Sequence, residues 1–530
     1  MLVKLSPPLD PCLVAVAGDH GFGGSPLRGA RHLKILHKSA GTISHGVIYA
    51  AMGNHTILPD LSEEYSGTEL GDPRRTARAC RIADAAGRAP DLSLPRQAGG
   101  DAQLEATYRF FNNEEVRPEL LLGAHAACTV RRAGQAGEVL VVHDTTMFRF
   151  GGELLRQGLG PVTSSKSQGF FTHGSLCMDR DGQPLGVLGL HSWVRTGKKK
   201  GKRPQQVSQY DPDRESLKWP EAVDSTAEQL HGVADAIHVM DREGDCIELL
   251  AGLVENEHRF VIRVAYDRRL EPGRNGTYPE KLYDALSSAP MMLEREVPLS
   301  RRGKKGRSPI QIKRFPVRRM RTATLELRAQ TLVICPGGGA VAHIPKRLEL
   351  NFVEAREVDP PEGEPPVLWR LVTTEPIETA EDVAAVIDIY RYRWLIEEYF
   401  KALKTGCNFE KLQLETGSAL MRALAIYASV AWRLLLIRWM DRNQPEAPAS
   451  TVLSSSQLSV LRAVRAKAGK PVPANPTAHD VLLAVAGLGA HLKRNGAPGW
   501  QVLGRGFDKL LILEQGWLAA MGGCDVPTDL

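Results

Sequence analysis

No two cysteines in this 530-residue chain are spaced as CxxC. The eight that occur (Cys12, Cys80, Cys128, Cys177, Cys246, Cys335, Cys407 and Cys524) are scattered. That argues against a zinc site and a disulfide framework, and suits a reducing cytoplasm. A long charge-free apolar run is missing too. The most apolar window, Ala419 to Met440, is interrupted by Arg422, Arg433 and Arg438, so it reads as a core helix rather than a membrane span. Near the N-terminus, charged residues, Gly and Pro break every apolar run, which speaks against a secretory leader. Internal repeats are absent. Neither sign of charge dominates, since 67 basic against 61 acidic residues leave a net +6. That mild excess hints at a polyanionic partner without requiring one.

The excess is clustered. Arg195 to Arg203 reads RTGKKKGKR and Arg301 to Arg307 reads RRGKKGR, glycine-spaced runs that suit loops better than helix faces. They are either solubilising loop charge or contacts to a phosphate backbone. With 43% hydrophobic and 24% charged residues, the chain otherwise has the composition of an ordinary soluble globular protein. Its length leaves room for about three domains.

Residues 1–51 are rich in Gly and His and poorly periodic, and are expected to be a disordered extension. Helical periodicity runs from Leu61 to about Arg131 and includes GDPRRTARACRIADAAGR, with basic residues along one amphipathic segment. The texture changes near Glu138. EVLVVHDTT is a short β-branched run ending at Asp144. GSLCMDRDGQPLGVLGLHSWV reads as two strands around an Asp-Gly turn, and AIHVMDREGD as a buried strand ending at Asp241. In RFVIR, alternation would put Arg259, Val261 and Arg263 on one face and Phe260 and Ile262 on the other. Short strands separated by Gly, Pro and basic loops follow to about 375. Helices then run to the end, interrupted by the polar linker NQPEAPAS at 443–450.

One helical stretch, YRYRWLIEEYFKALKTG at 390–406, is unusually charged. Wound as a regular helix, it places Tyr390, Arg393, Glu397 and Lys404 within a sector of about 60°. Ile389, Ile396, Phe400 and Leu403 form an adjacent apolar sector, and Glu398 points about 100° from Glu397, away from that strip. Taken alone, the stretch is either a solvated face laced with ion pairs or a site where basic groups hold phosphates beside a metal-binding carboxylate. The second reading needs further carboxylates, and the strand-end Asp144 and Asp241 are candidates. Each alone is weak, because Asp is a common turn residue. Three carboxylates on neighbouring elements would suit Mg²⁺ or Mn²⁺, and a pair of such ions can drive phosphodiester displacement.

The stretch fits the Y-(2)-R-(3)-E-(6)-K signature of DDE transposases of the insertion-sequence-four family. VVHDTT and VMDREGD resemble the segments that hold that family's two aspartates. LGDPRRTAR and ATYRFFNN are similar to its N-terminal DNA-binding region. GEPPVLWRLVTTEP, VIDIYRYRW and LGAHLKRNGAPGW resemble the Tn-five transposase branch, so that the resemblance spans about residues 62–520. It implies an α/β fold. The core would be ribonuclease H-like, a mixed sheet flanked by helices, with a β-rich insertion at about 255–372 inside a catalytic domain at 119–445. A helical DNA-binding domain at 52–118 and a helical dimerisation domain at 446–530 would complete the chain.

The resemblance also implies roles. Asp144, Asp241 and Glu397 would be the catalytic metal ligands, holding two Mg²⁺ (or Mn²⁺) ions per active site. Tyr390, Arg393, Lys404 and Arg263 would grip DNA phosphates, Trp369 would stack a flipped base, and Arg74, Arg75, Arg78, Tyr108 and Arg109 would recognise transposon ends. A salt-bridged strand residue is the competing reading for Arg263. The implied activity is cut-and-paste transposition. The enzyme would bind terminal inverted repeats, cleave by metal-dependent hydrolysis through a hairpin and transfer 3′-hydroxyl ends into target DNA, as a homodimer on double-stranded DNA. Its place would be the cytoplasm, at the nucleoid, with no membrane. A metal-dependent nuclease of the same fold and a non-catalytic DNA-binding regulator derived from a transposase remain as alternatives.

Overall fold

A computed structural model describes residues 61–521, apart from 153–154, 164–166, 196–213, 272–280, 300–301, 305–308, 315, 336–343 and 492–497. Residues 1–51 and most of both basic runs therefore lie outside the described residues.

Four helices open the described chain: α1 (Pro73–Arg88), α2 (Leu94–Ala98), α3 (Asp101–Asn112) and α4 (Pro118–Ala136). The start of α1 follows from its sequence. Gly71 takes a left-handed φ of 75°, Asp72 caps by accepting from Arg74 N at 2.9 Å, and Pro73 supplies a pre-set φ at the first helical position.

The sheet region comprises β1 (Glu138–Phe150), β2 (Gly160–Pro161), β3 (Gln168–Asp179), β4 (Pro184–Trp193), α5 (Lys218–Leu230), β5 (Asp235–Met240), α6 (Ile247–Glu255) and β6 (Arg259–Arg263). It continues through α7 (Leu282–Ser288), β7 (Met291–Leu299), α8 (Pro309–Arg314), β8 (Arg321–Ile334), β9 (Leu348–Glu357) and β10 (Leu368–Thr373). All ten strands join one mixed sheet in the order β2-β3-β1-β5-β6-β10-β9-β8-β7, with β4 also on β3. The pairs β1–β5 and β5–β6 are parallel and the rest antiparallel. A mixed sheet with flanking helices is what the resemblance implied for the catalytic fold. The β3–β4 hairpin forms as expected, with Gly182 at φ 78° in its Asp-Gly turn.

One strand expectation needs correction. β1 does not end at Asp144 but runs on to Phe150, because β3 keeps pairing with it after its parallel partner β5 has ended. In β6 the two faces that alternation sets apart in RFVIR are both covered. β6 lies between β5 and β10, so Phe260, Val261 and Ile262 are all buried, as expected for a strand covered on both faces.

The remaining helices are α9 (Ala380–Tyr392), α10 (Trp394–Lys401), α11 (Gly417–Asn443), α12 (Ser455–Lys467), α13 (Ala478–Leu488) and α14 (Trp500–Ala520). Among the described residues, α11 alone is long and apolar enough to cross a membrane, yet 89% of its most apolar window is buried inside the protein. It acts as a central post. Tyr65 donates to the carbonyls of Ala425 and Ile426 at 2.9 Å each, and Arg422 donates to Val116 O at 2.7 Å and Phe111 O at 3.0 Å. The N-terminal helices are thereby tied to it, and Arg422 and Arg438 satisfy buried carbonyls and a carboxylate inside the protein.

Candidate active site and nucleic-acid interface

Sheet topology brings the three carboxylates together. The last parallel pair between β1 and β5 is Val142–Val239, so both chains pass the end of their shared ladder just before Asp144 and Asp241. Asp241 then caps a 3₁₀ turn, accepting from Glu243 N at 2.8 Å. Asp144 accepts from Thr145 N at 2.7 Å. Glu397 arrives from α10, and Arg393 connects it to β1. One arm of the guanidinium donates to Asp144 Oδ2 at 3.2 Å and the other to Glu397 Oε1. Arg393 is only 8% exposed, so this forked pairing is made away from most of the solvent.

The electrostatics of the cluster are strained. Burial, then the charge of Asp241, push the Asp144 carboxyl up to about 7 against the pull of Arg393. Burial likewise raises Glu397 to about 7, opposed by Arg393 and assisted by Asp241 and Glu398. Asp241 is also raised, by burial first and with Glu243 adding to it. Burial works to lower the Arg393 pKa, but the surrounding negative groups overcome that and raise it. Crowded carboxylates that repel one another at neutral pH are poised for a cation. Their oxygens are the hard donors that Mg²⁺ or Mn²⁺ takes, so the residues present fit such an ion. As they stand, with Arg393 bonded to two of them, no three acidic, His or Cys side chains among the described residues are grouped to hold one.

The charged stretch is not one regular helix. Arg393 N bonds back three residues to Tyr390 O at 3.1 Å, tightening the chain between α9 and α10. Residues Ala402–Gly406 then widen into a π-helical turn, with Cys407 N bonding Ala402 O at 2.8 Å. Such turns recur at functional sites. Here the turn carries Lys404, which is largely buried and donates to Thr146 Oγ1 at 2.7 Å. Burial lowers its pKa, with Glu410 and Asp144 working against that.

Glu398 is corrected. It does not face outward but is 4% exposed, pairing with Arg438 of α11 at 3.0 Å and more loosely with Lys401 at 3.5 Å. The side of α10 left free by the apolar strip is covered by α11.

On the neighbouring strand β10, Trp369 is partly buried and meets Tyr390 edge-to-face, with centroids 5.8 Å apart. Arg263 donates to Leu368 O at 3.2 Å on the same strand. Trp369, Tyr390 and Arg263 thus share one neighbourhood, and Tyr390 is one turn from Arg393.

The N-terminal candidates are disposed differently from one another. Arg74 is 92% exposed and paired with Asp72 at 3.0 Å. Arg75 is more enclosed and donates to Leu70 O at 2.8 Å, a bond that holds the turn before α1. Arg78 bonds Gln103 of α3. Burial lowers its pKa, and the positive charges of Arg81 and Arg109 add to that, so these three form one basic surface across α1 and α3. Tyr108 instead packs against the core. Sequence reading passed over Arg81, whose signal was its i+3 spacing from Arg78.

It also passed over a buried histidine chain behind the carboxylates. His143 bonds Ser175 Oγ at 2.9 Å and His238 at 3.0 Å, and His173 bonds Thr145 Oγ1 at 2.9 Å. Burial pushes all three imidazoles down, so they are neutral. The signal was strand alternation. His143 and Thr145 point to the face opposite Asp144.

Comparison with known families gives two matches. Residues 61–116 match the family described as transposase DNA-binding, and residues 222–432 match the transposase DDE domain. The second match takes in Asp241 and Glu397 and begins beyond Asp144.

Proposed function

We propose that this chain, which carries a transposase DNA-binding domain and a DDE transposase domain, is a cut-and-paste transposase of the insertion-sequence-four family, closest in kind to its Tn-five branch. The observation that carries the reading is the single guanidinium of Arg393 bonded to both Asp144 and Glu397, with Asp241 near enough to raise the Asp144 pKa. Such an arrangement serves phosphodiester chemistry and has little use as a solvated helix face.

In this reading, Asp144, Asp241 and Glu397 hold the divalent cations on which DDE transposase domains generally depend, two Mg²⁺ or Mn²⁺ ions per site. When bound, these supply Lewis acidity that activates the attacking hydroxyl and stabilises the leaving oxygen. The chain's own residues do the positioning. Arg393 steadies Glu397 with one arm and turns the arm now on Asp144 to a phosphate beside the scissile bond, Lys404 offers a point charge from its π-turn, and Tyr390 adds a hydroxyl. Arg263 lies along the same path. Trp369 offers an aromatic face to a base extruded when the 3′-hydroxyl attacks the opposite strand to make a hairpin. The basic surface of Arg78, Arg81 and Arg109, together with the exposed Arg74, binds terminal inverted repeats, with Arg75 and Tyr108 shaping it. The domain limits follow the same reading: end binding at 52–118, catalysis at 119–445 with the β-rich insertion, and pairing of protomers through 446–530. The working place is the cytoplasmic nucleoid.

Incubating the purified full chain with labelled duplexes from the DNA flanking its gene, with Mg²⁺, tests this. Nicks and then hairpins at a terminal inverted repeat are expected, followed by joining to a target plasmid. If the flanking DNA carries inverted repeats that are bound but never cut, the regulator reading takes its place.

A further inference from the structure

A nearly buried ammonium lies on the other flank of the carboxylates and belongs to none of the groups described so far. Lys218, the first residue of α5, has a side chain only 11% exposed. Its Nζ sits 5.5 Å from the Trp193 ring centroid and 5.6 Å from that of Trp219. Its ion-pair partner is Glu243 Oε2, at 3.2 Å. Glu243 follows Asp241 by two residues, and its N–H caps the Asp241 carboxylate. Lys218 is also close enough for its charge to favour ionised Asp241 and to hold His173 neutral. Among the described residues, Glu215 and Arg195, themselves paired at 2.6 Å, are further charged groups near it.

The pair is lopsided. Lys218 is enclosed by two indole rings, whereas the side chain of Glu243 is 56% exposed. The anion can swing into water and the cation cannot follow. An ammonium so enclosed has given up most of its hydration, so it is a strong site for any anion that replaces the carboxylate. Arg393 and Lys404 reach the carboxylates from the α10 side, by way of Asp144 and Thr146. Lys218 reaches them from the β5 side, by way of Asp241 and Glu243.

We infer that Lys218 is a DNA phosphate-binding residue on the Asp241 flank of the active site, and that Glu243 occupies its place until a strand arrives. A backbone crossing the carboxylates is then held by cations on both sides of the reacting phosphate. This rests on the transposase reading above.

The test uses the full-length protein with Mg²⁺, a random-sequence DNA duplex for binding and a supercoiled plasmid for nicking. Lys218→Met keeps the stem between the tryptophans and removes the charge. One lost phosphate contact should flatten the slope of log affinity against log salt by about 0.9. The loss of affinity should then be about 3-fold greater at about 50 mM than at about 200 mM salt. Nicking should slow, and Lys218→Arg should restore both. Glu243→Gln should act in the opposite direction and tighten binding, because the resident anion is gone. An unchanged salt slope in a folded Lys218→Met protein overturns the inference. Should Lys218→Met not fold, Glu243→Gln decides: tighter binding supports the inference, and unchanged or weaker binding overturns it. A wild-type protein that neither binds the duplex nor nicks the plasmid would instead remove the transposase reading, and this inference with it.

Discussion

Lys404 Nζ donates to Thr146 Oγ1 at 2.7 Å, which ties the π-helical turn after α10 to the strand position two residues past Asp144. The hydroxyl aims a buried ammonium along the face that carries the first aspartate. Hydrogen bonds to charged groups are worth about 1.5–3 kcal/mol, so Thr146→Val should misdirect Lys404 without removing its charge. Strand cleavage is expected to fall by about one to two decades while affinity for DNA stays near wild type. Lys404→Met should lose both. Equal loss of binding in Thr146→Val would mean that the bond serves folding rather than aim.

Glu397 and Glu398 are neighbours with opposite expectations. Glu397→Gln removes a proposed metal ligand that burial and like charges already disfavour in its ionised form, so the variant should be inactive, with a smaller loss of stability than Glu398→Gln because Arg393 keeps Asp144 as a counter-charge. Glu398→Gln leaves Arg438 in a buried setting without its counter-charge. Breaking such pairs costs about 3–5 kcal/mol. A clear drop in melting temperature is therefore expected for Glu398→Gln, with cleavage retained at permissive temperature. Thermal melts paired with plasmid nicking check both.

How much of this was legible beforehand depends on the distance over which each signal acts. Local patterns carried well. The Asp-Gly turn of the β3–β4 hairpin and the buried strand leading to Asp241 are both set by residues within a few positions of one another. Errors arose where the decisive partner was distant in sequence. β1 continues past Asp144 because β3 pairs with it. Glu398 turns inward because Arg438, forty residues on, is waiting for it. The tightening at Arg393 and the π-turn at 402–406 leave no periodic signature, because a helix pattern assumes a constant rise. Lys218 was invisible for a related reason. Its significance comes from Trp193 and Glu243, which the sheet brings up to Lys218 and its chain neighbour Trp219.

The second aspartate offers a test that needs no catalysis. Burial and the neighbouring Glu243 raise the Asp241 pKa, which means that the folded protein holds this charge at a cost without a cation. Asp241→Asn should therefore melt at or above the wild-type temperature in chelator. Adding Mg²⁺ should raise the wild-type melting temperature, since a ligand that binds only the folded state stabilises it in proportion to the logarithm of its concentration. Asp241→Asn should show a much smaller rise. A Mg²⁺ response equal to wild type in the variant would place the ion elsewhere.

Acid stability is expected to depend on Glu64, which precedes α1 and bonds the two α4 residues, His125 and Arg132, that hold β4. It pairs with His125 at 2.5 Å and Arg132 at 2.7 Å. Burial works to raise its pKa, but those two partners bring it down to about 2 from the usual 4.5. A carboxylate with a depressed folded pKa contributes stability that is present above its unfolded pKa and lost as pH falls through its folded one. The window is thus about pH 4.5 down to about 2. Urea midpoints measured across it should fall more steeply in wild type than in Glu64→Gln, which should already be destabilised at neutral pH by leaving Arg132 and His125 without their anion. Parallel curves would remove Glu64 from the account of acid sensitivity.

Trp369 separates positioning from chemistry. Its ring is partly buried on β10 and meets the edge of Tyr390, so it touches one proposed phosphate-binding residue while part of its surface is open. If it receives an extruded base, it acts only when a base must leave the stack, at hairpin formation. Stacking is worth about 1–3 kcal/mol per base, or roughly one to two decades in rate. Trp369→Ala should therefore leave the first nick nearly unchanged and slow the hairpin by that factor. Arg393→Ala should slow both steps, because it positions Asp144 and Glu397 from the outset. Single-turnover assays on a labelled transposon end, resolving nicked from hairpin product, distinguish the two. Loss of Tyr390 packing alone would slow both steps together in Trp369→Ala, and Trp369→Phe would then restore them by refilling the contact. That pattern would make Trp369 a support for Tyr390 and end the stacking proposal.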